Sequence, residues 1–181
     1  MKFGLYHKMH HLYVRGIRTR RITQNSSRPY IILRMLEINT KAPDFTLEDQ
    51  DGKAQTLSTS KGSYVLVYFY PKDDTPGCTK EACVIRDMYE EFERVGVRVF
   101  GISADTVESH KQFAEKYSLP FRLLADPTKT RIAAYEASGP LFSKRISYLI
   151  DPEGTIVKAY ADVDPTTHGG EILKDVYALK K

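Results

Sequence analysis

Tyr64-Val65-Leu66-Val67-Tyr68-Phe69-Tyr70-Pro71-Lys72-Asp73-Asp74-Thr75-Pro76-Gly77-Cys78-Thr79-Lys80-Glu81-Ala82-Cys83 runs from a strand into a helix. The first seven residues are continuously apolar or aromatic, the pattern of a strand covered on both faces. Thr75 followed by Pro76 reads as a helix N-cap with proline in the first helical position. That reading places Cys78 three residues past the cap, where backbone N–H groups still lack helical acceptors. A thiol there lies at the positive end of the helix dipole, which favours its thiolate form. Both cysteines of the chain fall within this stretch.

The helix is amphipathic. Ala82, Ile85, Tyr89 and Phe92 follow Cys78 at +4, +7, +11 and +14, one apolar stripe, whereas Cys83 aligns with Arg86, Asp87 and Glu90. Five helical residues rotate by about 140° and rise about 7.5 Å, which separates the two cysteine alpha carbons by roughly 8–9 Å. A disulfide requires less than about 7 Å. The pair therefore cannot bond across an intact helix: either the two never pair, or pairing unwinds the first turns.

Working outward, Phe45-Thr46-Leu47 and Thr56-Leu57 form a small hairpin with Asp51-Gly52 at its turn. After the cysteine helix come a strand over Val97–Ser103, a helix over Thr106–Tyr117, a strand over Phe121–Ala125 and a short helix over Thr128–Glu136. Strands over Ile146–Ile150 and Ile156–Val163 flank the turn Asp151-Pro152-Glu153-Gly154. A last helix turns Ile172, Leu173, Val176 and Leu179 inward. Such an order predicts an α/β fold with a mixed central sheet flanked by helices. No linker or repeat divides it.

A composition break sets the beginning apart. Residues 1–34 hold eight Lys or Arg, three His and no Asp or Glu; the remaining residues hold 19 basic and 23 acidic side chains. The chain's charge of +4 thus belongs to a basic N-terminal extension, and the body, 35–181, is mildly acidic. The body offers no basic surface for nucleic acid or anionic membrane. Three readings of the extension stand side by side: sequence upstream of a start at Met35, an organellar presequence, or a basic arm. His7, His10 and His11 lack metal-site spacing and read as solvated. No apolar run approaches the roughly 18 residues of a membrane span.

Pro71-x-x-x-Thr75-x-x-Cys78, placed after a core strand and opening a helix, resembles the active-site signature of the peroxiredoxins. The second cysteine five residues on is similar to the subgroup called bacterioferritin comigratory protein or peroxiredoxin Q. Ala42-Pro43-Asp44-Phe45 upstream and Arg145 before a late strand complete the resemblance, which extends from about Met35 to the C-terminus. It implies a thioredoxin-like fold with an N-terminal hairpin. It also implies that Cys78 is the peroxidatic thiol, that Arg145 and Thr75 contact the thiolate and the peroxide, and that Pro71 shields the sulfur from water. Glu81 either tethers Arg145 or simply suits the first helical turn. Asp73 and Asp74 are expected to be solvated loop charges. Ile146 stands after Arg145 where the family often carries a small hydroxyl residue.

The implied reaction is reduction of hydrogen peroxide or an organic hydroperoxide, with Cys78 converted to sulfenic acid. Cys83 then closes an intramolecular disulfide, and thioredoxin or a similar dithiol reduces it. No haem, flavin or metal is called for, and a cytoplasmic monomer is expected, or an organellar one if residues 1–34 are a transit peptide. Other classes fit less well. A thioredoxin-type disulfide reductase would use Cys-x-x-Cys, usually with a preceding Trp, and the chain has no Trp. Two cysteines lack the two further ligands of a zinc module. An inert pair would not need the first turn of a helix.

Overall fold

The computed structural model describes residues 34–181. The basic stretch and its three histidines lie outside the described residues, apart from Arg34. Seven strands form one sheet: β1 (Thr46–Asp49), β2 (Ala54–Thr56), β3 (Tyr64–Phe69), β4 (Val97–Ser103), β5 (Arg122–Ala125), β6 (Ile146–Ile150) and β7 (Ile156–Tyr160), in the order β2-β1-β5-β4-β3-β6-β7. The three inner strands β5, β4 and β3 are parallel, and the hairpins β1–β2 and β6–β7 add antiparallel edges. The parallel pairs require crossovers, which the intervening helices supply.

Strand β3 sits deep in the sheet because both of its faces are apolar. Leu66, Tyr68 and Tyr70 enter one core with Ile85, Phe92, Phe113, Leu149, Ile172 and Val176. Val65, Val67 and Phe69 enter the opposite core with Phe100, Ile102, Ile132, Tyr135 and Tyr148. Burying one such side chain contributes about 1.5–3 kcal/mol, so the alternation fixes the strand's register as well as its place. Met35 and Leu36 pack against the second core, and the Leu36 N–H donates to the Tyr148 hydroxyl at 3.1 Å.

The helices are α1 (Pro76–Asp87), α2 (Tyr89–Arg94), α3 (Val107–Tyr117), α4 (Thr130–Ala134) and α5 (His168–Leu179). The apolar stripe of the cysteine helix holds, but the helix itself breaks at Met88, whose N–H reaches back to the carbonyls of Ile85 and Arg86. Thr106 caps α3 by accepting from the Ser109 N–H at 3.2 Å, and left-handed Ser118 ends that helix. Gly169 lets α5 approach α1 closely, since a Cβ there would stand 3.0 Å from Met88 Sδ and 3.2 Å from Val84 Cγ1.

Several boundaries differ from expectation. The second hairpin strand ends at Thr56, and Leu57, expected in it, opens a short 3-10 helix over Leu57–Ser60. Helix α4 is shorter at both ends, because Lys129 adopts a left-handed conformation before it and Glu136 another after it. Strand β7 stops at Tyr160, where its pairing with β6 ends. Leu179 is exposed rather than inward, since α5 has passed the edge of its core by its last turn.

Candidate active site

The C-terminal end of β3 hands the chain to a loop, residues 71–75, and α1 begins directly after it. Pro71 opens that loop and is half-buried. Thr75 is the N-cap residue, extended at φ −92°, and its carbonyl accepts the first helical bond from the Thr79 N–H at 2.8 Å. The expected capping bond from its hydroxyl is not made. That hydroxyl instead donates to the Lys72 carbonyl at 3.0 Å, closing the loop upon itself.

Cys78 follows in the first turn with 2 % of its surface exposed, while Cys83 is half-buried on another face of the helix. Both are free thiols. The Arg145 guanidinium reaches over from the residue before β6, placing Nη2 3.3 Å from Cys78 Sγ. Gly77 leaves the room for it, since a Cβ there would stand 3.1 Å from the same nitrogen. Nη1 of Arg145 donates to Oε2 of Glu81, whose side chain is fully buried on the inner face of α1. Of the two roles open to Glu81, the structure displays the tether.

Burial pushes the Glu81 carboxyl up to about 7, against the pull of Arg145. Its Oε1 has no hydrogen-bond partner among the described residues. Burial alone would depress Arg145, but Glu81 and Cys78 outweigh it and hold the guanidinium above the ordinary arginine value. Burial, and then the field of Arg145, lower His168 to about 4. This neutral imidazole faces Ser147, two residues beyond Arg145, with Nε2 2.8 Å from the hydroxyl. Ile146 points into the opposite core and takes no part in this wall. Tyr68 lies beneath the site, stacked on Tyr70 with ring centroids 5.4 Å apart.

Asp73 overturns its expectation as a solvated charge, whereas Asp74 beside it stays exposed as expected. Asp73 is buried: Oδ1 accepts from the Tyr70 hydroxyl at 2.7 Å, and Oδ2 accepts from Ser109 Oγ at 2.7 Å and lies 2.8 Å from His110 Nδ1. Asp74, at φ 54°, meets Lys116 Nζ and the Tyr117 hydroxyl, both at 2.6 Å. The buried partners come from α3, which holds His110 on the same stripe as Phe113 and Tyr117.

A buried sulfur at a helix N-terminus with a cation at hydrogen-bonding distance is arranged for nucleophilic chemistry. The pattern of the AhpC/TSA family matches residues 38–159, which include the loop, the sulfur and the arginine. The chain belongs to that family. More narrowly, it is a peroxiredoxin of the peroxiredoxin Q and Bcp group. It is similar to the chloroplastic peroxiredoxin Q of Oryza sativa subsp. japonica, 42% identical over 162 residues that cover 87% of this chain and 75% of the relative. A putative peroxiredoxin bcp of Coxiella burnetii is also 42% identical, over 76% of this chain and 97% of its own. Among solved structures, the bacterioferritin comigratory protein of Xanthomonas campestris, studied for alkyl peroxide reduction, aligns with a TM-score of 0.75 and 29% identity. That alignment covers 80% of this chain and all of the other. The sheet and helices above are the peroxiredoxin form of the thioredoxin-like fold, and peroxiredoxins are thiol-dependent peroxidases.

Sequence reasoning brought Cys78, Thr75, Pro71 and Arg145 to one end of the sheet and missed four neighbouring residues: Gly77, the buried pair Asp73 and His110, and His168. His110 and His168 each carry a signal, since each begins an apolar helical stripe, His110-Phe113-Tyr117 and His168-Ile172-Val176. A histidine on such a stripe is buried, and a buried histidine needs a partner.

Proposed function

We propose that Cys78 is the peroxidatic nucleophile and Cys83 the resolving thiol of a thioredoxin-dependent peroxidase. The observation that carries this reading is the Arg145 Nη2, 3.3 Å from Cys78 Sγ and locked behind by buried Glu81. A fixed cation beside the sulfur favours the thiolate and then stands where negative charge develops on the peroxide oxygens. The thiolate attacks one oxygen of hydrogen peroxide or an alkyl hydroperoxide. The O–O bond breaks, the leaving oxygen takes a proton to become water or alcohol, and Cys78 is left as sulfenic acid. Thr75 orients the peroxide, and Pro71 shields the sulfur from bulk water. The Cys83 thiol then loses its proton and attacks the sulfenic sulfur; the S–O bond breaks and water departs. Thioredoxin or a similar dithiol reduces the resulting disulfide by exchange. Alkyl hydroperoxides as substrates are supported by the Xanthomonas relative, itself associated with alkyl peroxide reduction.

Residues 35–181 form the working domain, acting as a monomer in antioxidant defence and cell redox homeostasis, and residues 1–34 are not required for turnover. We place the reaction in the cytoplasm. The acid-free basic stretch and the chloroplastic peroxiredoxin Q relatives favour a second reading, in which that stretch is a transit peptide. No helix among the described residues is long and apolar enough to cross a membrane.

Peroxide turnover with thioredoxin and its reductase tests the assignment. Cys78→Ser should abolish it. Cys83→Ser should consume about one equivalent of peroxide and stall, because its sulfenic acid has no internal partner. Arg145→Met should slow peroxide attack at least tenfold, the loss of about 1.4 kcal/mol of transition-state stabilisation. Turnover of Cys78→Ser near that of the wild type would remove Cys78 from the chemistry, and sustained turnover of Cys83→Ser would remove the resolving role.

A further inference from the structure

Helix α3 touches the reactive-cysteine loop at two points that the peroxidase chemistry does not use. Near its start, Ser109 Oγ and His110 Nδ1 meet Asp73 Oδ2 at 2.7 and 2.8 Å, while Tyr70 holds Oδ1. The Asp73 N–H donates to Asp105 Oδ2 at 2.9 Å, and that oxygen also accepts from Ser103 Oγ at 2.7 Å. At the other end of α3, Lys116 and Tyr117 take Asp74. Residues 110 and 117 are seven apart, so two adjacent aspartates grip a helix at points separated by about 10 Å. Asp74, which makes the second contact, adopts a left-handed conformation at φ 54°. The C-terminal carbonyl of the same helix, Tyr117 O, accepts from Arg86 Nη1 at 2.8 Å, which ties the far end of α1 to α3 as well.

His110 is fully buried, and its Nε2 has no hydrogen-bond partner among the described residues. With Nδ1 as the donor, its near partner is Asp73 at 2.8 Å, and the Tyr70 hydroxyl, itself bound to Asp73, lies 3.4 Å from the same nitrogen. A buried polar group with so few partners holds them firmly, because breaking the bond leaves both groups buried and unsatisfied. The loop so held is the one that closes from Thr75 to Lys72 and opens α1.

We infer that Asp73 and His110, with Asp74, Lys116 and Tyr117, form a clamp by which α3 sets the balance between peroxide attack and disulfide closure. Attack needs the loop seated, with Thr75 and Cys78 in place. Closure needs α1 unwound, because the two sulfurs lie on different faces of the helix. The clamp favours the first arrangement and opposes the second. Asp73 and His110 are thus positioning residues. This inference rests on the reading of Cys83 as the resolving thiol.

The test separates the two steps. The reduced full-length chain is mixed with one equivalent of hydrogen peroxide, quenched at successive times, and read by intact mass for sulfenic acid and for disulfide. Asp73→Asn and Asp74→Ala should each slow attack and speed closure by roughly fivefold, the effect of one net hydrogen bond. His110→Asn, which keeps an N–H near the position of Nδ1, should behave more like the wild type than His110→Leu does. Ile132→Val, in the core on the other face of the sheet, should leave both rates as they are. A merely structural role would move both rates in one direction, and that outcome overturns the inference. Should Asp73→Asn fail to fold, exposed Asp74→Ala decides alone.

Amide exchange over residues 72–78 of the reduced protein gives an independent reading. It should quicken in both aspartate variants, and unchanged protection removes the clamp. A wild-type chain that forms no Cys78–Cys83 bond overturns the resolving reading and with it the closure half of the proposal, whatever the exchange shows.

Discussion

The Arg145 guanidinium closes on the Glu81 carboxylate at a point no solvent reaches on the glutamate side. A cation so placed has two partners, and the glutamate competes with the sulfur for it. The competition depends on pH because Glu81 titrates near 7 rather than near the usual carboxylate value.

Glu81 holds its proton more tightly in the folded chain than in the unfolded one. Between about pH 4.5 and about pH 7 the unfolded state therefore binds fewer protons than the native state, and stability falls as pH rises, by at most about 1.4 kcal/mol per pH unit. Glu81→Gln should lose this slope. Urea midpoints measured at pH 5 and pH 8 check it: the wild type should fall across the interval further than the variant. Parallel midpoints in the two proteins would show that Glu81 does not titrate in that range.

Gly101 is the second position with a sharp consequence. A Cβ there would lie 2.6 Å from the Tyr68 ring and hydroxyl oxygen, and that ring is held between Tyr70 and Phe121 beneath the site. Gly101→Ala should destabilise the fold by about 1–3 kcal/mol, as overpacking does. Combining it with Tyr68→Leu should cost less than the sum of the two single changes, because the second change vacates the space the first demands. Additive losses in urea denaturation would mean that the two residues do not meet.

Oxidation should loosen the start of α1. If a disulfide joins Cys78 to Cys83, helical hydrogen bonds around them must open, each contributing roughly 0.5–1.5 kcal/mol net. Amide exchange across residues 76–86 should then be faster in the oxidised than in the reduced protein. Equal protection in both states, with the bond verified by mass, would contradict it.

The architecture was readable wherever a local pattern determines the structure. The both-faced apolar run of β3 announced a central strand, and Thr75-Pro76 announced the start of α1 to the residue. Cys78 and Arg145, 67 positions apart, were joined only through the family resemblance, since no periodicity reports on a partner so distant. Asp73 shows the limit most clearly. An aspartate in a polar loop is usually solvated, and nothing near it in the chain indicates that His110 and Ser109 arrive from another helix. Thr75 differs again: its position as cap was legible, but its hydroxyl had two backbone partners within reach, and only the loop's closure decided for Lys72. Helix ends failed where a single left-handed residue, Lys129 or Glu136, interrupts a sequence that would otherwise continue.

The interruption at Met88 has its own consequence. Helical order is cooperative, so a continuous rod from Pro76 to Arg94 would tend to fray or hold as one body. With the hydrogen-bond ladder broken at Met88, and Phe92 anchoring the following turn in the core, melting that begins at Cys78 meets a firebreak before it reaches α2. If a disulfide opens α1, the segment that rearranges is thereby limited to its 12 residues, and the sheet keeps the cover that Phe92 and α5 give it.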